Sequence, residues 1–215
     1  MTDPDRPFAT YGVGEWLDAL GSDAPTPGGG AVAGLVAASG AAMLAMVGRL
    51  TIGKPAFADV APRMRELVAA ADRARASFLE MADRDAHAFD GVMQAFRMPK
   101  ETDEERTARS AAIQDGYAAA AMVPLEMARH AVDLMPLAEE ATATGNPQAS
   151  SDGYVGAIAL HAASRAAIAN VEINAAALKD ETRRAELLDA CASLRSRGED
   201  LLSRTETAFG LRLGT

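Results

Sequence analysis

Residues 61–97 read APRMRELVAAADRARASFLEMADRDAHAFDGVMQAFR. Apolar side chains recur there in steps of three and four: Val60 just ahead of the stretch, then Met64, Leu67, Ala71, Ala74, Phe78 and Met81. That period is the stripe of an amphipathic helix, and it predicts one long helix from about Ala61 to Arg97. Pro62 suits its first turn. The next step lands on Asp85, after which the stripe resumes with Ala88, Val92 and Ala95. Asp85 therefore stands where an apolar side chain is expected, whereas Asp83 and Asp90 fall off the stripe. A carboxylate buried without a partner is costly, and its pKa rises toward the range useful for proton transfer. Pairing with a buried arginine, or capping of a neighbouring helix, accounts for such a residue equally well.

Outward from this stretch the helical pattern continues. A short helix fits Val13 to Leu20, followed by a Pro- and Gly-rich loop, and a buried helix runs from about Ala31 to Leu50. Thr102 and Glu105 form a capping box for a helix reaching about Ala143, with kinks expected at Pro124 and Pro136. Gly145-Asn146-Pro147 stops it. Ser150-Ser151-Asp152 starts a helix to about Leu178, and a last one spans Glu181 to Phe209. Aromatics are only 5% of a chain rich in alanine, so strands have little to build on. The expected architecture is all-α: a bundle of long antiparallel helices, one domain over residues 1–215.

Charge and composition exclude several functions. The net charge of −9 repels a phosphate backbone, which argues against nucleic-acid binding. Residues Ala31 to Gly48 carry no charge, but Ala, Gly and Ser dominate over Leu and Ile, so a core helix is expected and not a membrane span. The polar, acidic Met1-Thr2-Asp3-Pro4-Asp5-Arg6 does not resemble a signal peptide, and a cytoplasmic location is expected. With Cys191 the only cysteine, no intramolecular disulfide forms. His87, His130 and His161 lack metal-ligand spacing, so no metal site is expected. Cys191, among Ala and Leu, reads as packing.

Two further features bear on a site. Gly28-Gly29-Gly30, preceded by Pro27, ends at a helix start, where amide N–H groups can cradle an anion or a polar ring edge. A tight turn explains the run as well. Without a preceding strand or a Lys-Ser/Thr ending it is no nucleotide loop. Asn170 and Asn174, four apart, share a helix face with Ala163 and Ala167. Their amides either bond neighbouring backbone or read a heterocycle.

Taken in order, Thr26-Pro27-Gly28-Gly29-Gly30-Ala31, Leu50-Thr51-Ile52-Gly53-Lys54, Asp83-Arg84-Asp85-Ala86-His87-Ala88-Phe89, Met98-Pro99-Lys100, Val123-Pro124-Leu125, Gly145-Asn146-Pro147, Ser151-Asp152 and Asn170-Val171-Glu172-Ile173-Asn174 resemble the cyclodeaminase/cyclohydrolase family. The resemblance covers about Val13 to Asp180. It implies a helical homodimer acting on tetrahydrofolate derivatives, with no cofactor beyond that substrate. It implies Asp85 as the catalytic residue. It implies a folate cleft lined by Pro27, Gly28, Gly29, Gly30, Lys54, Asn146, Ser151, Asp152, Asn170 and Asn174. Two positions depart from the family pattern: Ala31 stands where relatives often have Ser, and His87 where they often have Glu. The implied activity is methenyltetrahydrofolate cyclohydrolase, because no formiminotransferase half accompanies these motifs. Formiminotetrahydrofolate cyclodeaminase is the alternative, and a non-catalytic folate- or partner-binding dimer is the further one.

Overall fold

The computed structural model describes residues 6–214. The reading of the first six residues therefore lies, Arg6 apart, outside the described residues. The helices are α1 (Val13–Leu20), α2 (Gly29–Thr51), α3 (Ala61–Arg97), α4 (Asp103–Thr144), α5 (Ser150–Ala176) and α6 (Glu181–Leu213). Single 3₁₀ turns precede α1, α3 and α5. No strand occurs among the described residues.

The periodic stretch forms α3 with the expected bounds. The α4 capping box is present: the Glu105 N–H donates to Thr102 Oγ1 at 3.1 Å, and the Thr102 N–H to Glu105 Oε2 at 3.0 Å. Differences lie at helix ends. α2 starts two residues early, so Gly29 and Gly30 belong to its first turn and not to the preceding loop. α4 runs through both Pro124 and Pro136 to Thr144, as expected, because the neighbouring turns are buried against other helices and packing outweighs the two lost N–H donors. α6 extends to Leu213 and ends at Gly214, whose φ of 77° is the left-handed cap conformation.

α2 is the central rod. It is long and apolar enough to cross a membrane by length and composition alone, but most of that window is buried inside the fold. Close approach is possible because its inward residues are small. A Cβ on Gly34 would lie 2.8 Å from Ala82 Cβ on α3, and one on Gly40 would lie 2.9 Å from Leu160 Cγ on α5. Gly48 meets Val68 of α3 in the same way. The pairings run in opposite residue order, so α2 is antiparallel to both α3 and α5. Phe78, Met64, Leu67, Leu44, Met135 and Leu160 fill the space between the rods and are fully buried.

Candidate active site

Asp85 projects from α3 at the level of the first turn of α2. A Cβ on Gly30 would sit 2.0 Å from its Oδ2, so only glycine leaves room for the carboxyl group. Neither reading that made Asp85 structural describes it. It has no ion pair and no hydrogen bond among the described residues, and the adjacent Arg84 pairs with Glu126 instead. Burial pushes its pKa up to about 6. The N-terminus of α2 beside it acts in the opposite sense and favours the anion. Asp83, one turn-position away, accepts the Phe8 N–H at 2.8 Å and holds the N-terminal 3₁₀ turn.

α5 brings Asn170 and Asn174 to the same place. A Cβ on Gly29 would lie 3.1 Å from Asn170 Nδ2. The first alternative for these amides is realised: they bond neighbouring backbone. Asn170 Nδ2 donates to Ala166 O at 2.9 Å, and Asn174 Nδ2 to Asn170 O at 2.9 Å and Ala120 O at 3.2 Å. These bonds fix the amide planes, while both Oδ1 acceptors remain without a donor among the described residues. A cavity of about 560 Å³ opens over Asp85, Phe89, Tyr117, Asn170, Ile173 and Asn174. Pro27 and Gly28, buried and half-buried, lead into α2 behind it. Sequence reasoning missed Tyr117 and Ile173. Tyr117 is a lone aromatic in an alanine-rich segment, which is the one signal that sets it apart.

Four other expected residues lie elsewhere. Asn146 is buried at the far end of α2, and its groups are occupied. Its N–H donates to Thr51 Oγ1 (2.8 Å), its Nδ2 to Leu50 O (3.3 Å), and its Oδ1 accepts from the Gln148 N–H (3.2 Å). It ties the α4–α5 connection to α2. Lys54 is exposed and lines a second cavity of about 300 Å³ with Gly53, Pro55 and Arg65. Ser151 and Asp152 begin α5 beside this end. At 1.5 Å per residue, the 23 residues of α2 separate these groups from Asp85 by roughly 30 Å. A single cleft lined by all the expected residues is thus not formed within one chain. The physical reason is that α2 and α5 are antiparallel rods, and a linear list of motifs does not say which end of a rod each occupies.

Among the described residues no group of three or more His, Cys, Asp or Glu side chains is placed to hold a metal ion. His87 is exposed. Cys191 is buried, and burial raises its thiol pKa, as suits a packing residue.

Comparison with known proteins agrees with this architecture. The family model for formiminotransferase-cyclodeaminase matches residues 12–193. A methenyltetrahydrofolate cyclohydrolase of Methylorubrum extorquens is 40% identical over 165 residues, covering 77% of this chain and 79% of that protein. Formimidoyltransferase-cyclodeaminase of Rattus norvegicus is 34% identical over 212 residues, which is 99% of this chain but 38% of that protein. The chain thus spans little more than a third of the longer relative. The crystal structure of a formiminotetrahydrofolate cyclodeaminase from Thermotoga maritima superposes with a TM-score of 0.84 at 29% identity, covering 94% of this chain and 96% of that one. With most of its length matched in sequence and in fold, the chain belongs to the formiminotransferase-cyclodeaminase family.

Proposed function

We propose that this chain hydrolyses 5,10-methenyltetrahydrofolate to 10-formyltetrahydrofolate. The observation that carries the reading is Asp85: a half-buried carboxyl group, unpaired, at the wall of a cavity, in a relative of a methenyltetrahydrofolate cyclohydrolase. The substrate is a cationic amidine. As an anion, Asp85 stabilises that cation in a poorly solvated site. Water then attacks the methenyl carbon, forming the C–O bond, and its proton passes to Asp85. Protonated Asp85 returns this proton to N5 as the C–N5 bond breaks, and the hydroxyl proton leaves as the formyl C=O forms. The balance is substrate plus water to product plus one released proton, with no redox change. Asn170 and Asn174 present fixed acceptors to the N–H edge of the pterin. The same reading takes the working form as a homodimer in the cytoplasm, with no cofactor beyond the folate.

A second reading is supported by the likeness to the Thermotoga maritima cyclodeaminase. There N10 attacks a 5-formimino carbon and ammonia leaves, with the same carboxylate carrying the proton.

One assay tests both. Purified protein added to 5,10-methenyltetrahydrofolate accelerates loss of its near-ultraviolet absorbance over the uncatalysed rate. Activity only on 5-formiminotetrahydrofolate, with ammonia released, overturns the hydrolase reading in favour of the deaminase. Silence on both leaves a binding dimer. Asp85→Asn keeps its helical circular dichroism and loses about 10²–10⁴-fold in turnover; near-normal turnover would remove Asp85 from the mechanism.

A further inference from the structure

We infer that Arg109 receives a carboxylate of the substrate, at the end of an aromatic path that leads out of the Asp85 cavity over Tyr117 and Phe96. The inference rests on the proposed folate reading for the chemistry of the ligand, a reacting ring joined through an aryl amide to an acidic tail. The path itself stands on geometry alone.

The path starts at Tyr117, which lines the cavity together with Asp85 and Phe89. Its place on α4 is held from two sides. A Cβ on Gly116 would lie 3.4 Å from Val92 Cα, so α4 presses on α3 one residue before it. About one turn later the Asn174 amide donates to Ala120 O and ties α4 to α5. The Tyr117 ring meets Phe96 edge to face, with centroids 6.1 Å apart and planes at 81°. Phe96, on the last turn of α3, remains 41% exposed. Arg109 closes the path. Its Cζ lies 5.6 Å from the Phe96 centroid, and its Nε and Nη2 donate to Phe96 O at 3.3 and 3.0 Å.

These bonds fix the guanidinium without neutralising it. They use two of its five N–H donors, and both go to an uncharged carbonyl. Asp103, one turn and a half earlier on α4, pairs with Arg106 instead, and Arg109 has no ion pair among the described residues. A half-buried, oriented guanidinium without a counter-ion, in a chain of net charge −9, fits a carboxylate. The reach agrees. Asp85, Phe89 and Phe96 follow each other at steps of four and seven on one face of α3. At 1.5 Å per residue, the 11 residues from Asp85 to Phe96 span roughly 16 Å, which suits an extended aryl amide whose reacting ring sits at Asp85. The order along the surface is carboxylate, aromatic rings, cation. The order along the ligand is its complement: cationic amidine, aryl ring, carboxylate.

Binding measured apart from turnover tests this. Tetrahydrofolate, and tetrahydropteroate, which lacks the glutamate, are titrated into the protein by calorimetry. The wild type is expected to bind tetrahydrofolate at least about tenfold more tightly. Arg109→Gln keeps a donor for the Phe96 carbonyl and loses the charge. Its affinity for tetrahydrofolate is expected to fall to within about threefold of that for tetrahydropteroate, which itself stays at the wild-type value. A wild type that binds neither ligand, or both equally, overturns the inference. So does an Arg109→Gln variant that keeps the full preference. A variant that weakens both ligands alike overturns it too, since that is the mark of a residue that only caps α3. In turnover of 5,10-methenyltetrahydrofolate, Arg109→Gln is expected to raise KM about tenfold and to change kcat by less than about twofold, because the tail contact is the same in ground and transition states. The reverse split, kcat lost and KM kept, overturns the inference. Wild-type protein that shows the tail preference but leaves the methenyl compound intact overturns the hydrolase reading and leaves this inference standing.

Discussion

Asp85 has neither an ion pair nor a hydrogen bond to offset the loss of its hydration, and the pull of the α2 N-terminus does not make up for it, so ionising it burdens the folded state. Its pKa in the fold, about 6, exceeds the ordinary carboxylate value of the unfolded chain. The folded state therefore holds the extra proton between about pH 4 and 6, and the stability contributed by that proton fades as pH rises through this window. Above it, Asp85→Asn is expected to be more stable than the parent by on the order of 1–3 kcal/mol, the gain vanishing toward pH 4. Urea titrations at pH 8 and pH 4 check this. A variant less stable at pH 8 would reveal a stabilising partner for the carboxylate. Gly30→Ala probes the same contact from the other side. Its Cβ would sit 2.0 Å from Oδ2, so the carboxyl group must move, and turnover is expected to fall at least tenfold with far-ultraviolet circular dichroism unchanged. That Asp85 breaks an apolar stripe is visible in sequence. That Gly30 makes room for it is not, because the two residues lie 55 positions apart on different helices.

At the level of elements, the glycines of α2 are spacers between rods. Gly40→Val drives new methyl groups onto Leu160 and the Gly156 carbonyl, the latter only 3.0 Å from an added Cβ. A net loss of about 1–3 kcal/mol in denaturant titrations is expected, even after the better helix propensity of the larger residue. Stability equal to the parent's would show that the α2–α5 crossing can slide apart. Helix bounds were legible where apolar period and caps coincide, as in α3 and at Thr102. They were less so at the start of α2, where Gly29 and Gly30 read as loop by composition but are drawn into the helix by the contacts with Asn170 and Asp85. Asn146 is the opposite case. A polar residue in a family motif suggests a ligand contact, yet its side chain joins the α4–α5 connection to the C-terminal end of α2.

Across the whole molecule, the antiparallel order explains why the motif list gave a correct fold but an incomplete site: the fold needs only which faces are apolar, the site needs which ends coincide. The far end is closed late in the chain, where Arg212 of α6 donates to Thr142 O and Gly145 O at 3.2 Å each. This cation also complements the C-terminal dipole of α4. Arg212→Ala is expected to lower stability by about 1–2 kcal/mol and to speed amide hydrogen exchange around Gly145 and Asn146. Unchanged exchange there would mean that α6 does not clamp the end. The low-charge, glycine-bearing α2 has a consequence for synthesis. Its five glycines each cost about 1 kcal/mol of helix propensity, so the segment is a poor helix by itself. Its α5 partner is translated about 100 residues later. At ordinary elongation rates, on the order of 5–20 s pass with the α5-facing side of this apolar segment uncovered outside the ribosome. During that interval the nascent chain is a substrate for holding chaperones, and the yield of native protein depends on how well they shield one stretch, residues 29–51, until its partner arrives.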